Sequence, residues 1–369
     1  MSTNKDLLNA NRAKSDEFYT LLSTIENEMK YYKDFFKDKI VFCNCDDPYE
    51  SNFFKYFAIN FNSLGLKKLI TTCYAGSPII TEQLSLFDVK GLVVKKGYEK
   101  HPYKIEITEV PDSNNDGAVD LSDVEYLLKN GKNTLTLLKG DGDFRSEECI
   151  QLLKESDVVV TNPPFSLFRE YISQLFKYDK KFIILGNKNA ITYKEVFSLI
   201  KDNKLWLGAS IHSGGTDFII PKSYTISKNI KVDKDGNKLV NIPGPRWFTN
   251  VDYKQRYEDI ILYKKYLPEE YPKYDNYDAI NVDKTSDIPC DYVGVMGVPI
   301  TFMDKYNPKQ FRVVGLLASA GYDASIVGIP FKGKVLACPL IDGKRVYARV
   351  LIEYREEYKN ENNIEWSSS

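Results

Sequence analysis

The sequence predicts an α/β protein built on a doubly wound, mostly parallel sheet. Three observations carry this. Short apolar runs that read as buried strands recur down the first half of the chain: KIVFCNC, LKKLITTCY, DVVVTNPPF and KFIILGN. Stretches with helical spacing of apolar residues separate them. The first two runs, with the turn and helix between them, form one β-turn-α-β unit, and such units build parallel sheets.

In chain order, the first 40 residues read as helical, with Ser23 and Glu26 at capping-box spacing before IENEMKYYKDFF. KIVFCNC is a strand ended by DDPYE. SNFFKYFAINF is a helix capped at Ser51 or Asn52, with Phe53, Phe54, Phe57, Ala58 and Phe61 on its apolar positions. LKKLITTCY is the next strand. Residues 84–111 read as an inserted pair of strands, SLFDVKGLVVKKGY and YKIEITEV. The polar loop DSNNDGAVDLSD leads into the helix VEYLLKN. Then TLTLLKGDGDF is strand and turn, SEECIQLLKES a helix, DVVVTNPPF a strand, SLFREYISQLF a helix and KFIILGN a strand. EVFSLIKDN and KLWLGASI continue the alternation. From about residue 215, Gly, Pro and aromatic residues break it up, as in NIPGPRWFTNVDY.

The bulk numbers narrow the function classes. With 369 residues the chain has room for two domains. No apolar run approaches the ~18 residues of a membrane span, and MSTNKDLLNANRAKSDEF has no signal-like apolar core, so no membrane partner and a cytoplasmic location are expected. The six cysteines contain no CxxC pair, which argues for buried thiols over a zinc or redox site. Two histidines, His101 and His212, make a mechanism with several imidazoles unattractive. The 50 basic and 51 acidic residues leave a nucleic-acid partner open only if basic charge gathers on one face.

One strand end carries chemistry. Open α/β sheets bind ligands beyond the carboxyl ends of their strands, and Val158–Val160 ends in Asn162-Pro163-Pro164-Phe165. The Asn162 side-chain carbonyl and the Pro163 backbone carbonyl are two acceptors suited to a planar amino group with two N–H donors. Phe165 can stack on the ring that carries it. Accepting both hydrogens aims the nitrogen lone pair at an electrophile, which is the chemistry of alkylating an exocyclic amine.

A strand ending in this way resembles the signature of amino-group methyltransferases that use S-adenosylmethionine (SAM). Further segments extend the likeness: KSDEFYT (14–20), CNCDDPYESNFFKYF (43–57), LGLKKLI (64–70), GDGDFRS (140–146) and VVVTNPPFSLFREY (158–171). Together, and with the later GVMGVPITFMDKYNPKQF (294–311), they resemble the EcoRI-type adenine-specific DNA methyltransferase family. The resemblance implies a class I, Rossmann-like catalytic domain over residues 1–252, with an insertion at about 84–125, and a DNA target-recognition region over 253–369. It implies that Asn162, Pro163, Pro164 and Phe165 hold the target adenine, and that Phe18 and Tyr19 line the methionine end of SAM. The turn Asn44-Cys45-Asp46-Asp47 stands where this fold usually has a glycine-rich loop. Here contacts fall to Asp46 or Asp47 and to backbone N–H groups, with Asn44 beside them. Asp143 is the preferred acceptor for the SAM adenine amino group, ahead of Asp141, and Phe144 flanks its ring. LITTCY ends without the usual ribose-binding acid.

The implied partner is double-stranded DNA with its adenine flipped out, at a cost of a few kcal/mol. A cognate restriction endonuclease acting on the same site is a second implied partner. Lys and Arg near 246–265 and 305–345 are candidates for DNA contacts. Amino methylation of RNA or of a protein glutamine amide is the alternative activity. A DNA- or SAM-binding protein on a decayed fold is the non-enzymatic one.

Two further constellations stand apart. Asp112, Asn114, Asp116, Asp120 and Asp123 occupy positions 1, 3, 5, 9 and 12 of an EF-hand-type loop, with Gly117 at position 6. They are read either as ligands of a structural calcium ion or as a polar turn leading to a helix capped by Ser122. Pro289-Cys290 matches a cysteine-nucleophile dipeptide of cytosine methyltransferases, but it lies far from the alternating segments.

Overall fold

A computed structural model describes residues 18–45, 51–74, 102–130, 135–212, 214–220, 230–234, 236–318 and 338–361. The described residues within 1–187 and 214–251 form one compact unit, and those within 188–213 and 252–369 form another.

The strands of the first unit are β1 (Tyr19–Thr20), β2 (Ile40–Cys43), β3 (Lys68–Thr72), β4 (Tyr103–Ile107), β5 (Leu135–Leu137), β6 (Val158–Thr161) and β7 (Lys181–Asn187). Its main sheet runs β5-β4-β3-β2-β6-β7. The four strands β3, β2, β6 and β7 are mutually parallel, with Cys43 beside Thr71, Val41 beside Val158 and Thr161 beside Ile184. The sequence builds these strands from unbroken apolar runs because both faces are covered. Val158, Val159 and Val160 are fully buried, as are Phe182, Ile183, Ile184 and Leu185. The chain goes from β2 outward to β3 on one side and returns to β6 on the other. In open α/β sheets such a reversal is where ligands bind, which here is at the carboxyl ends of β2 and β6.

β4 obeys a different pattern. Tyr103, Ile105 and Ile107 are buried, while Lys104 and Glu106 point outward and pair with each other at 2.6 Å. It lies antiparallel between β3 and β5. Thus the second strand of the expected inserted pair is a full member of the sheet, and the first falls at residues outside those described.

Helices of this unit are α1 (Leu22–Met29), α2 (Asn52–Ile59), α3 (Leu121–Asn130), α4 (Glu147–Glu155) and α5 (Phe168–Lys177). The α1 N-cap is Leu21, with no side-chain cap bond, so the Ser23–Glu26 capping box does not form. Burial of Ile25 and Met29 holds the helix instead. Ser51 caps α2, its Oγ accepting from the Phe53 N–H at 3.2 Å, and Phe53, Phe54, Phe57 and Ala58 are buried as their spacing predicts.

Past the alternating region the second unit contributes α6 (Lys194–Lys201) and the two-residue strand β8 (Trp206–Leu207), so KLWLGASI is strand only over two residues. The first unit resumes with β9 (Gly215–Ile219), β10 (Ile230–Val232), β11 (Lys238–Pro243) and β12 (Pro245–Thr249). A small sheet runs β1-β9-β11-β10. β12 closes beside β7 antiparallel, with Trp247 opposite Leu185.

The second unit holds a four-stranded sheet in the order Ile280–Asn281, Met296–Pro299, Arg349–Tyr354, Phe311–Leu317. Tyr274, Tyr277, Leu317 and Leu351 form a core against it. No helix among the described residues is long and apolar enough to cross a membrane.

Candidate active site

β6 stops at Thr161 because the two prolines that follow Asn162 have no N–H for a strand ladder. A single turn over Phe165–Leu167 then leads into α5. Asn162 is 8% exposed. Its Nδ2 donates to the Phe18 backbone carbonyl at 2.8 Å. Its Oδ1 is buried and has no hydrogen-bond partner among the described residues. An unpaired buried acceptor costs about 1–3 kcal/mol unless a donor, from water or from a ligand, reaches it. Pro163 is buried beside it, and Phe165 is half-buried.

The neighbouring strand end is laced to this one. Thr161 Oγ1 donates to the Asn44 backbone carbonyl. Tyr171, on the first turns of α5, donates its hydroxyl to Asn44 Oδ1. Burial pushes the Tyr171 hydroxyl well above its ordinary pKa, so it stays protonated and can donate. The Tyr171 ring also meets Phe144 edge-on at 5.0 Å. Asn44, Phe144 and the start of the NPPF helix therefore converge on one side chain. The sequence offered only weak notice of Tyr171, which occupies an ordinary inward position of an amphipathic helix. Tyr171→Phe is expected to leave the Asn44 acceptor unpaired and to cost about 1–3 kcal/mol in urea unfolding.

The DGD turn follows a third strand end. Gly142 has φ +76°, and a Cβ there would lie 2.1 Å from the Cys73 carbonyl at the end of β3. Only glycine allows that approach. The Asp143 carboxylate is gripped by Arg145: Oδ1 accepts from the Arg145 N–H and Nε at 2.8 Å each, and Oδ2 from Nη2 at 2.7 Å. Those bonds hold the Asp143 carboxyl below its usual range. A carboxylate has about four lone-pair sites, so Oδ2 keeps one for a further donor. Arg145 is also tied to Glu170 at 2.9 Å. Phe144 is buried, and its carbonyl accepts from Gln174 Nε2 at 2.8 Å.

A folded pKa lowered in this way adds stability above the unfolded value of ~3.9. That stability is lost as pH falls through the folded value. Arg145 is half exposed, so at pH 7 Arg145→Ala is expected to cost less than about 1 kcal/mol. The difference between variant and parent should shrink toward zero below the Asp143 titration, measured by urea unfolding at both pH values.

Phe18 and Tyr19 are buried beside this centre, and the Thr20 carbonyl accepts from Asn52 Nδ2 at 2.7 Å. The structure thus brings together Phe18, Asn44, Asn162 and, through Tyr171, Phe144. Asp46 and Asp47 lie outside the described residues.

The calcium expectation for Asp112, Asn114, Asp116, Asp120 and Asp123 is not supported. Among the described residues no group of three or more acidic, histidine or cysteine side chains is arranged to hold a metal. The loop carboxylates satisfy backbone donors instead. Asp112 accepts from the Gly117 N–H at 2.9 Å and Asp116 from the Ala118 N–H at 2.9 Å. Asp120 accepts from the Ser122 N–H, and Asp123 returns to the Asp120 N–H, so Asp120 and not Ser122 caps α3. A strand, not a helix, precedes the loop. Cys290 belongs to the second unit, where its N–H donates to the Lys264 carbonyl at 2.8 Å.

Over residues 6–355 the chain matches the model of a family described as adenine-specific methyltransferase EcoRI. It is 46% identical to the Type II methyltransferase M.EcoRI of Escherichia coli, over 97% of this chain and 99% of that one. It is 36% identical to the Type II methyltransferase M.MpnI of Mycoplasma pneumoniae, over 94% of this chain and 97% of that one. A similar match is the Type II methyltransferase M.MgeORF184P of Mycoplasma genitalium, 36% identical over 94% and 98% of the two chains. No solved structure matches significantly.

Proposed function

The chain belongs to the family of adenine-specific EcoRI methyltransferases, and from that premise we propose that it methylates the exocyclic amino group of an adenine flipped out of duplex DNA, with SAM as the methyl donor. The observation that carries the site assignment is the buried, unpartnered Oδ1 of Asn162 at the end of β6.

Asn162 Oδ1 accepts one amino hydrogen of the adenine, and the Pro163 backbone carbonyl accepts the other. With both hydrogens held, the nitrogen lone pair is directed out of the ring plane. Phe165 stacks on the base. As the nitrogen gains positive character, both acceptors interact with it more strongly than in the ground state, which lowers the barrier. No strong base is required before attack, because the alkylated amine is acidic enough to lose its proton afterwards.

The surroundings fit the methyl donor. Thr71, next to Cys43 in the sheet, and Thr20, next to Tyr19, both bury hydroxyl oxygens with no partner among the described residues. Phe18 and Tyr19 would hold the methionine end, Asn44 and the following turn the amino-acid head, and Asp143 and Phe144 the adenine. When bound, SAM supplies a methyl group made electrophilic by its sulfonium. The fold reading that goes with it is a class I, Rossmann-like methyltransferase domain. The region after residue 252 supplies phosphate contacts and base readout, and a restriction endonuclease acting on the same site is the matching partner in the cell.

The test is methyl transfer from labelled SAM to mixed-sequence duplex DNA, with the product nucleoside identified by mass spectrometry. The expected product is 6-methyladenine. SAM binding with no modified DNA base would remove DNA as the substrate and turn the test to RNA and protein amides.

A further inference from the structure

We infer that the backbone carbonyl of Phe18 is a positioning group that fixes which end of the Asn162 amide faces the substrate; this rests on the role given to Asn162 above. The two ends of a carboxamide are almost the same size, so sterics alone do not choose between them. A site that must accept an N–H works with the oxygen inward and fails with the nitrogen inward. The carbonyl of Phe18 makes the choice. A carbonyl oxygen can only accept, and it lies 2.8 Å from Asn162 Nδ2. A flipped amide would bring two acceptor oxygens to that distance. Phe18 is 6% and Asn162 8% exposed, so solvent has little access to relieve the clash. The unpartnered Oδ1 is the other half of the same arrangement: nitrogen to the protein, oxygen to the site.

The carbonyl is itself held from two sides. Tyr19 and Thr20 pair with Ile219 and Phe218 in the small sheet. The Thr20 carbonyl takes a hydrogen bond from Asn52, the first residue of α2. The Phe18 ring lies 6.5 Å from that of Phe218. A main-chain oxygen 144 residues before the catalytic asparagine thus takes part in methyl transfer without touching the base.

The carbonyl can be weakened in the full-length chain. Residues 1–42 are made by synthesis with an ester in place of the Phe18–Tyr19 peptide, and joined at the native Cys43. An ester carbonyl is a poorer acceptor than an amide. The control carries the ester three bonds later, between Leu21 and Leu22, outside the site, where the Leu21 carbonyl accepts from the Thr24 and Ile25 N–H groups. The Phe18–Tyr19 ester is expected to lower the single-turnover rate about fivefold, with apparent KM for SAM and DNA within about twofold; the control should stay within about twofold in rate. In an Asn162→Asp background, which has no N–H to offer, the same ester should cost nothing further. Equal losses in both backgrounds, or equal losses from the two esters, would overturn the inference, as would an unchanged rate. An unmodified protein that fails to methylate adenine would instead remove the functional reading on which it rests.

Discussion

Asn162→Ala is expected to lower the rate of methyl transfer by about 10²–10³-fold or more while leaving the protein folded and able to bind SAM. The magnitude follows from removing an acceptor aimed at a nitrogen that becomes positive in the transition state. Alanine leaves the Phe18 carbonyl without its 2.8 Å donor, which costs about 1–3 kcal/mol. It also removes a buried oxygen that has no partner among the described residues. These two terms oppose each other, so the unfolding free energy should change by less than about 2 kcal/mol. Single-turnover kinetics on duplex DNA, SAM titration and urea unfolding separate the outcomes. A rate loss below tenfold with intact folding would show that the Asn162 acceptor does not carry the chemistry. A rate loss matched by loss of SAM binding would assign the residue to the cofactor.

The place of that asparagine, at the end of a strand, was legible in the sequence because its context is written in local chemistry. A β-branched run followed by two prolines reads as a strand that stops, which places the residue at the stop at the end of the sheet. The central strands were legible for a similar reason: Val158–Val160 and Phe182–Leu185 are short β-branched and apolar runs bounded by turn residues, as strands covered on both faces are. The partners of the site were not legible. Phe18 contributes a main-chain oxygen, which is the same atom in every residue, so no side-chain pattern reports it. Tyr171 satisfies helical periodicity whether or not its hydroxyl reaches Asn44. The strand YKIEI alternates as a half-exposed strand should, yet its place between β3 and β5 is a matter of long-range pairing that local pattern does not encode. The acidic loop shows the opposite failure. Oxygen atoms at positions 1, 3, 5, 9 and 12 serve a cation or a series of backbone N–H groups equally well on paper, and here they serve the backbone.

Gly142→Ala should destabilise the first unit by about 2–4 kcal/mol and weaken SAM binding with it. Two costs add. The position has φ +76°, where a side chain costs about 1–2 kcal/mol. The added Cβ would also meet the Cys73 carbonyl at 2.1 Å and Pro102 Cβ at 2.9 Å. Neither a backbone carbonyl nor a proline ring yields as a flexible side-chain end does, so the turn itself must move away from the end of β3 by at least about 1.3 Å to go from 2.1 Å to ordinary contact at 3.4 Å. That motion drags Asp143 and Phe144, and it breaks the packing of Phe144 on Tyr171. Gly117→Ala is the control. Its φ is +87°, but nothing lies within 4 Å of the new Cβ, so it pays the backbone strain without the collision, about 1–2 kcal/mol. Urea unfolding and SAM titration of both variants therefore separate strain from close approach. Gly142→Ala should be the less stable of the two and the only one with reduced SAM affinity. Equal stability for the pair would mean that the DGD turn does not pack against the Cys73 carbonyl. A Gly142→Ala protein that lost stability and kept its SAM affinity would take Asp143 and Phe144 out of the cofactor site.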